Sequence, residues 1–150
     1  MVAFEFSINS NPWKFNKYVL PQHTDHAGVM WHGSYLSWLE ECRVETLGCV
    51  GIKYHELSLK GYELPVASLS IEYKKSLNHG DLVVLETFAY QLNKVRWRWE
   101  THFLRDGKTL AAKSKVELVL VSKIEKEFKI IRDFPDFLKV AIEKISLGPG

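Results

Sequence analysis

The chain has little of what would fix it by covalent bonds or draw it to a large charged partner. Of its 150 residues only two are cysteine, Cys42 and Cys49. They lie in a stretch of helical pattern, where seven positions put Cα atoms about 10 Å apart at ~1.5 Å per residue. A disulfide tolerates no more than about 7 Å. With no staple, and no basic run followed by an apolar stretch between Met1 and Ser10, a reducing cytoplasm is the expected compartment. No apolar run approaches the ~20 residues that span a bilayer. Basic and acidic residues nearly cancel, 20 against 18, so no large positive field invites nucleic acid or an anionic membrane. Gly-x-Ser-x-Gly, Gly-x-Gly-x-x-Gly and the phosphate-loop pattern are all absent, which removes the serine-hydrolase elbow and two nucleotide-binding motifs. Repeats, low-complexity tracts and linkers are lacking too, so residues 1–150 are expected to form one domain.

What is present is a change of period along the chain. Trp13 to Leu20 reads as a strand from its aromatic and β-branched content, ended by Pro21. Tyr35, Leu36, Leu39, Cys42 and Leu47 recur at helical spacing, with Glu40, Glu41 and Arg43 between them and Gly48 and Gly51 at the end. That helix, with Trp31 and Trp38 added, is apolar enough to be mostly wrapped by other structure. From Leu64 onward the period becomes two. Leu69, Ile71 and Tyr73 alternate with polar residues, Asn78 to Asp81 reads as a turn, and Leu82 to Tyr90 as a second run. Trp97, Trp99, Thr101 and Phe103 alternate cleanly with Arg96, Arg98, Glu100 and His102. Asp106-Gly107 marks a tight hairpin, a further strand follows through Ser122, and Pro135 to Ile145 reads as a short amphipathic helix. One strand, one long helix and a meander of about four strands predict an α+β fold in which an antiparallel sheet curls around one helix. The uncovered edges and the tryptophan-rich strand predict homo-oligomerisation.

The loop from Pro21 to His32 concentrates the chemistry. His23, Asp25, His26 and His32 surround Gly28 just ahead of a helix N-terminus. Unpaired N–H groups of a first turn, from about Met30 to Ser34, carry partial positive charge suited to a carbonyl oxygen or oxyanion. A neighbouring carboxylate can attack an acyl carbon or activate water. Asp25 is equally suited to capping the loop, and the four polar residues are also of metal-ligating types; the spacing alone leaves these readings open. Lys74, Lys75, Lys94, Arg96 and Arg98 suit either phosphate contacts or a solvated strand face.

Thr24-Asp25-His26-Ala27-Gly28-Val29-Met30-Trp31-His32-Gly33-Ser34-Tyr35, followed by Trp38-Leu39-Glu40 and Arg43, resembles the signature of 4-hydroxybenzoyl-CoA thioesterase-like hotdog proteins. Leu64 to Ser68 and His79-Gly80-Asp81 extend the resemblance over most of the chain. It implies a hotdog fold and hydrolysis of an acyl-CoA to free acid and CoA. Asp25 would be the catalytic carboxylate, as nucleophile or general base, and His32 would act through its backbone N–H on the thioester carbonyl. Gly28, Trp31, Lys94 and Arg96 are the residues expected at the substrate, Lys94 by a loose match to basic strand residues on the CoA nucleotide. The family's substrates include 4-hydroxybenzoyl-CoA, short acyl-CoAs, acyl carrier protein thioesters and 1,4-dihydroxy-2-naphthoyl-CoA of phylloquinone and menaquinone synthesis. Its members form homodimers, commonly paired into homotetramers, with each site at a subunit interface and no metal or redox cofactor. Gly33-Ser34 departs from the pattern, where a residue followed by asparagine is common. A non-catalytic acyl-CoA-binding module is the competing reading on the same fold. A hydratase is disfavoured because the position five after Asp25 holds Met30 instead of histidine.

Overall fold

The computed structural model describes residues 11–150; the segment 1–10, read above for a targeting signal, lies outside the described residues. Six chain segments build the main body. Strand β1 is Trp13–Tyr18, helix α1 is His32–Cys49, and strands β3 (Val66–Tyr73), β4 (Leu82–Gln91), β5 (Arg96–Arg105) and β6 (Thr109–Val119) follow. The five strands form one antiparallel sheet in the order β1-β4-β5-β6-β3. Between α1 and β3 lie a short helix α2 (Tyr54–Leu59) and strand β2 (Tyr62–Glu63), which joins β7 (Val121–Ile124) and β8 (Glu127–Ile130) in a second small sheet. Helix α3, Asp136–Leu147, closes the chain.

The period-two face of β5 makes the floor of the core. Trp97, Trp99 and Phe103 are wholly buried, and α1 lies over them with Tyr35 edge-on to Phe103 at 5.1 Å. Ser34, Tyr35, Trp38, Leu39, Cys42, Arg43, Thr46 and Leu47 are the buried residues of α1, spaced by three and four along one face. The wrapping expected of this helix is therefore one-sided. Leu36, assigned to the apolar face from sequence, is exposed, as is Val44. Helix α3 packs against β4, and the Trp13 indole N–H donates to the Ile145 carbonyl at 2.9 Å.

The expected meander holds only for β4-β5-β6. Asp106 and Gly107 take the positive φ values of 54° and 70° that a tight hairpin needs. The turn at Asn78–Asp81 also forms, with Asp81 N–H on the Asn78 carbonyl at 3.0 Å, yet it does not make β3 and β4 neighbours. The inner edge of β4 is taken by β5 and its outer edge by β1, from Trp13↔Thr87 to Tyr18↔Leu82. β3 is left the free edge of β6, where Leu69 faces Val116 and Ile71 faces Ser114. All of β3 except Ile71 is exposed. The apolar surface predicted from the tryptophan strand lies here instead, in Val66, Leu69 and Tyr73, because the tryptophans point into the core.

The outer face of the sheet is held by charge. Glu117 on β6 accepts from Arg96 Nη1 at 2.8 Å and from Arg98 Nη2 at 2.6 Å. The Arg98 guanidinium, then Arg96, holds the Glu117 carboxyl below its ordinary value near 4.5. A depressed folded-state pKa contributes stability that is complete above the unfolded value and is lost as pH falls through the folded one. Glu117→Gln is therefore expected to cost about 1–2 kcal/mol at pH 7, modest because both arginines are partly exposed. Urea denaturation as a function of pH checks this, and the gap to wild type should narrow as pH falls below about 4.3, the reference for a free glutamate.

Candidate active site

The segment from Pro21 to His32 is a compact hairpin. Pro21–His23 form one turn of 3-10 helix; Thr24 then bridges Met30, and Val29 bridges Asn78. Asp25 sits at the tip. Its N–H donates to the Val29 carbonyl at 2.8 Å, and its own carbonyl accepts from Gly28 N–H at 3.0 Å. Its Oδ1 accepts from Ala27 N–H at 2.9 Å and Val29 N–H at 3.1 Å. Oδ2 has no protein partner among the described residues, and the residue is exposed in the single chain. Gly28 adopts φ +79° to close this loop, a conformation costly for a side-chain-bearing residue.

Helix α1 begins directly beyond the hairpin. Trp31 N–H donates to the His23 carbonyl at 3.1 Å and Ser34 N–H to the Trp31 carbonyl at 3.0 Å. The N–H groups of His32 and Gly33 have no protein acceptor among the described residues, leaving two donors at the positive end of an 18-residue helix. The His23 carbonyl also accepts from the buried Ser34 hydroxyl at 2.8 Å. His23 Nδ1 accepts Leu20 N–H at 3.0 Å, which puts the neutral ring's proton on Nε2. That ring meets Trp38 edge-on at 5.2 Å. His23 thus anchors the hairpin to the helix. Among the described residues no group of three or more His, Cys, Asp or Glu is placed to hold a metal ion.

A cleft of about 300 Å³ opens along the first turns of α1, walled by His23, Trp31, Gly33, Ser34, Trp38 and Glu41. Trp31, half exposed, turns back over Gly33: a Cβ at position 33 would fall 2.3 Å from its ring. Glycine at position 33 leaves room for the Trp31 ring, and the Ser34 hydroxyl holds the loop through the His23 carbonyl. Sequence reasoning missed His23 and Ser34 as scaffold residues. Their signal, the reach across eleven positions, is visible only after folding.

Of the residues expected at the substrate, Asp25, Gly28, Trp31 and His32 converge on one hairpin and helix start. Lys94 and Arg96 do not join them within one chain. The hairpin is tied to the start of β4, through Met30 N–H on the Leu77 carbonyl and His79 N–H on the Gly28 carbonyl. Lys94 follows the far end of that ten-residue strand, about 30 Å away at ~3.3 Å per residue. Arg96 is engaged by Glu117. Basic residues at the Asp25 end include Lys74 and Lys75, just past β3, and Arg105, which donates to the Ser76 carbonyl at 3.3 Å.

Gly33→Ala tests the contact with Trp31. The extra methyl should displace the indole and raise its quenching by acrylamide relative to a Trp31→Phe control, with a global stability change of about 1 kcal/mol or less, since alanine favours the helix.

Residues 19–142 match the model of the thioesterase-like superfamily. Over 129 residues the chain is 34% identical to sll0410 of Synechocystis sp., a protein whose name describes it as an esterase, covering 85% of this chain and 76% of that one. It is 29% identical over 115 residues to Bacillus subtilis YneP, whose name describes an acyl-CoA thioesterase, covering 76% and 83%. The DHNA-CoA thioesterase of Staphylococcus aureus superposes with a TM-score of 0.77 at 27% identity, covering 89% of each chain. The antiparallel sheet around α1 is the hotdog fold, the protein is a thioester hydrolase, and the chain belongs to the thioesterase-like superfamily.

Proposed function

We propose that the protein hydrolyses an aromatic acyl-CoA, of the 4-hydroxybenzoyl or 1,4-dihydroxy-2-naphthoyl kind, with Asp25 as its catalytic carboxylate. The observation that carries this reading is the juxtaposition of a carboxylate with one uncommitted oxygen and a helix start with two uncommitted N–H donors. In this mechanism the thioester carbonyl oxygen accepts from His32 and Gly33 N–H, which stabilise the negative charge that builds there. Asp25 attacks the carbonyl carbon through Oδ2, or takes a proton from the water that does. The C–S bond then breaks and CoA leaves as thiolate; on the first route water then hydrolyses the mixed anhydride on Asp25, releasing the acid and restoring the carboxylate. These groups supply the whole reaction, so no metal or redox cofactor takes part. The half-exposed Trp31 indole offers a flat ring a stacking surface, and the name of the S. aureus neighbour favours quinone synthesis. Two free cysteines, one of them exposed, suit a reducing cytoplasm.

The working unit in this reading is a homodimer joined through β3. Asp25 is not a wall of the cleft beside α1, so one chain offers an incomplete site. An exposed edge strand with Val66, Leu69 and Tyr73 outward is a template for pairing with a second copy. A two-fold pairing runs the two β3 strands antiparallel and continues the sheet across both chains. It also carries the partner's Lys94, with its charge, to the end of the sheet where Asp25 lies, in reach of the CoA nucleotide.

Thiol release from a panel of aryl-CoA, short alkyl-CoA and acyl carrier protein thioesters distinguishes the competing substrates. Asp25→Asn should lower kcat on the best of them by about 10²–10⁴-fold, the usual worth of a positioned acid or base; an unchanged rate would sink the mechanism, and silence of wild type across the panel would favour the binding module. Analytical ultracentrifugation at micromolar concentration should give a dimer or a tetramer built from dimers. Leu69→Lys should shift that distribution toward monomer, and a wild-type monomer would overturn the shared-site reading.

A further inference from the structure

A second cavity, of about 380 Å³, lies at the opposite end of β3 from the Asp25 hairpin, walled by Tyr54, Glu63, Leu64, Pro65, Val121 and Phe128. Leu64, Pro65, Val121 and Phe128 make it apolar, and Tyr54 and Glu63 give it two polar groups of opposite sense. The guanidinium of Arg43, buried on α1, stands near Tyr54. Arginine carries only donors, so it cannot take the Tyr54 O–H proton, and that hydroxyl remains a donor. Burial raises the Tyr54 pKa above its ordinary 10, so that proton stays in place at neutral pH. Glu63 supplies the acceptor. Its Oε1 takes the Ser58 hydroxyl at 2.7 Å, and Oε2 has no protein partner among the described residues. Apolar walls with one donor and one acceptor match a flat ring bearing a hydroxyl, which accepts from Tyr54 and donates to Glu63.

Within one chain this cavity is separated from Asp25 by the eight residues of β3, about 26 Å at ~3.3 Å per residue. Antiparallel pairing of two β3 strands about a two-fold near their midpoint removes that separation. The start of one strand then lies beside the end of the other, so residues 62–65 of one protomer face residues 74–77 of its mate, and Leu77 is the residue that holds the hairpin through Met30. We propose, building on the dimeric thioesterase reading above, that the cavity of each protomer receives the acyl group cleaved by the other protomer's Asp25, and that Tyr54 and Glu63 select a hydroxyaryl group there. Arg43 is a positioning residue for Tyr54.

Two measurements on the full chain test this. The first compares kcat/KM for 4-hydroxybenzoyl-CoA against benzoyl-CoA, and for a hydroxylated naphthoyl-CoA against its unsubstituted parent. Wild type should favour the hydroxylated member of a pair by about 10-fold or more, since a site built for a hydroxyl rejects its absence. Tyr54→Phe and Glu63→Gln should each bring that ratio close to one through a raised KM for the hydroxylated member. A wild type without discrimination, or variants that retain it, would overturn the selection while leaving the hydrolase reading intact; a wild type that cleaves no member overturns both. The second measurement mixes subunits. Asp25→Asn protein co-expressed with the Tyr54→Phe/Glu63→Gln double variant gives heterodimers with one intact composite site, and random assortment should restore about one quarter of wild-type activity on the hydroxylated substrate. Activity no higher than the mean of the two parents would show that the cavity does not serve the opposite protomer.

Discussion

The candidate site hangs on a short set of backbone hydrogen bonds between residues 19–30 and residues 77–81. Val19 and Asp81 exchange through Val19 N–H on the Asp81 carbonyl at 2.9 Å and Gly80 N–H on the Val19 carbonyl at 2.8 Å; Met30 reaches Leu77 at 2.8 Å, and His79 reaches Gly28 at 3.0 Å. None of these belongs to the main sheet. They pin the Asp25 hairpin and the first turn of α1 to the segment that joins β3 to β4. Because backbone amides lack rotamers, such a tether costs little side-chain entropy and holds position tightly. The carboxylate and the helix N–H groups are thereby fixed with respect to one another through about ten residues of stitched chain, without either depending on a long flexible side chain.

The same connecting segment explains the exposed strand. β4 is flanked on both sides, so residues 74–81 must carry the chain from the outer edge of β6 across the end of the sheet, and β3 is stranded at the margin. An edge that is apolar and unpaired is a hazard for a monomer. In the proposed dimer this edge joins two incomplete sites, because the crossover delivers the hairpin to one end of β3 and leaves the apolar cavity at the other. Edge and site are in this sense one feature: a sheet order with β3 inside would hide the pairing strand and would also remove the segment on which Met30 and His79 depend.

Local pattern made the elements legible and left their arrangement dark. The alternation from Trp97 to Phe103, the helical spacing from Tyr35 to Leu47 and the Asp106-Gly107 turn each carry their own signal, and each forms. The partner of β3 carries none, because Leu69 faces Val116 across more than forty positions. The β7–β8 hairpin escaped notice because its turn residues are Glu125 and Lys126, which take φ of 50° and 71° without the glycine or asparagine that normally marks such a turn. Asp25, Gly28, Trp31 and His32, expected at the substrate from the resemblance and the loop composition, fall together on one hairpin and helix start. The anchoring by His23 and Ser34 was invisible, since a carbonyl acceptor leaves no trace in residue type. Lys94, expected at the substrate by a loose match to basic strand residues, and Arg96 lie at the other end of the sheet from Asp25 within one chain, because neither a loose match nor charge says which end of the sheet a residue occupies.

The two readings of Asp25, loop cap and catalyst, were framed as alternatives while only its neighbours in sequence were known. A carboxylate has two oxygens, and here they are divided. Oδ1 is consumed by Ala27 and Val29 N–H, which is the capping role in full. Those two bonds fix the plane of the carboxylate and so the direction in which Oδ2 projects. In the proposed mechanism capping is a condition of catalysis: an aspartate free to rotate would lose its orientation toward the thioester carbonyl, and orientation is where much of the advantage of a bound reactant over a dissolved one arises. Glutamate, with one more rotatable bond, would carry the same charge with more side-chain freedom to lose on being held against both amides, which gives a physical reason for the shorter acid at the tip of this hairpin.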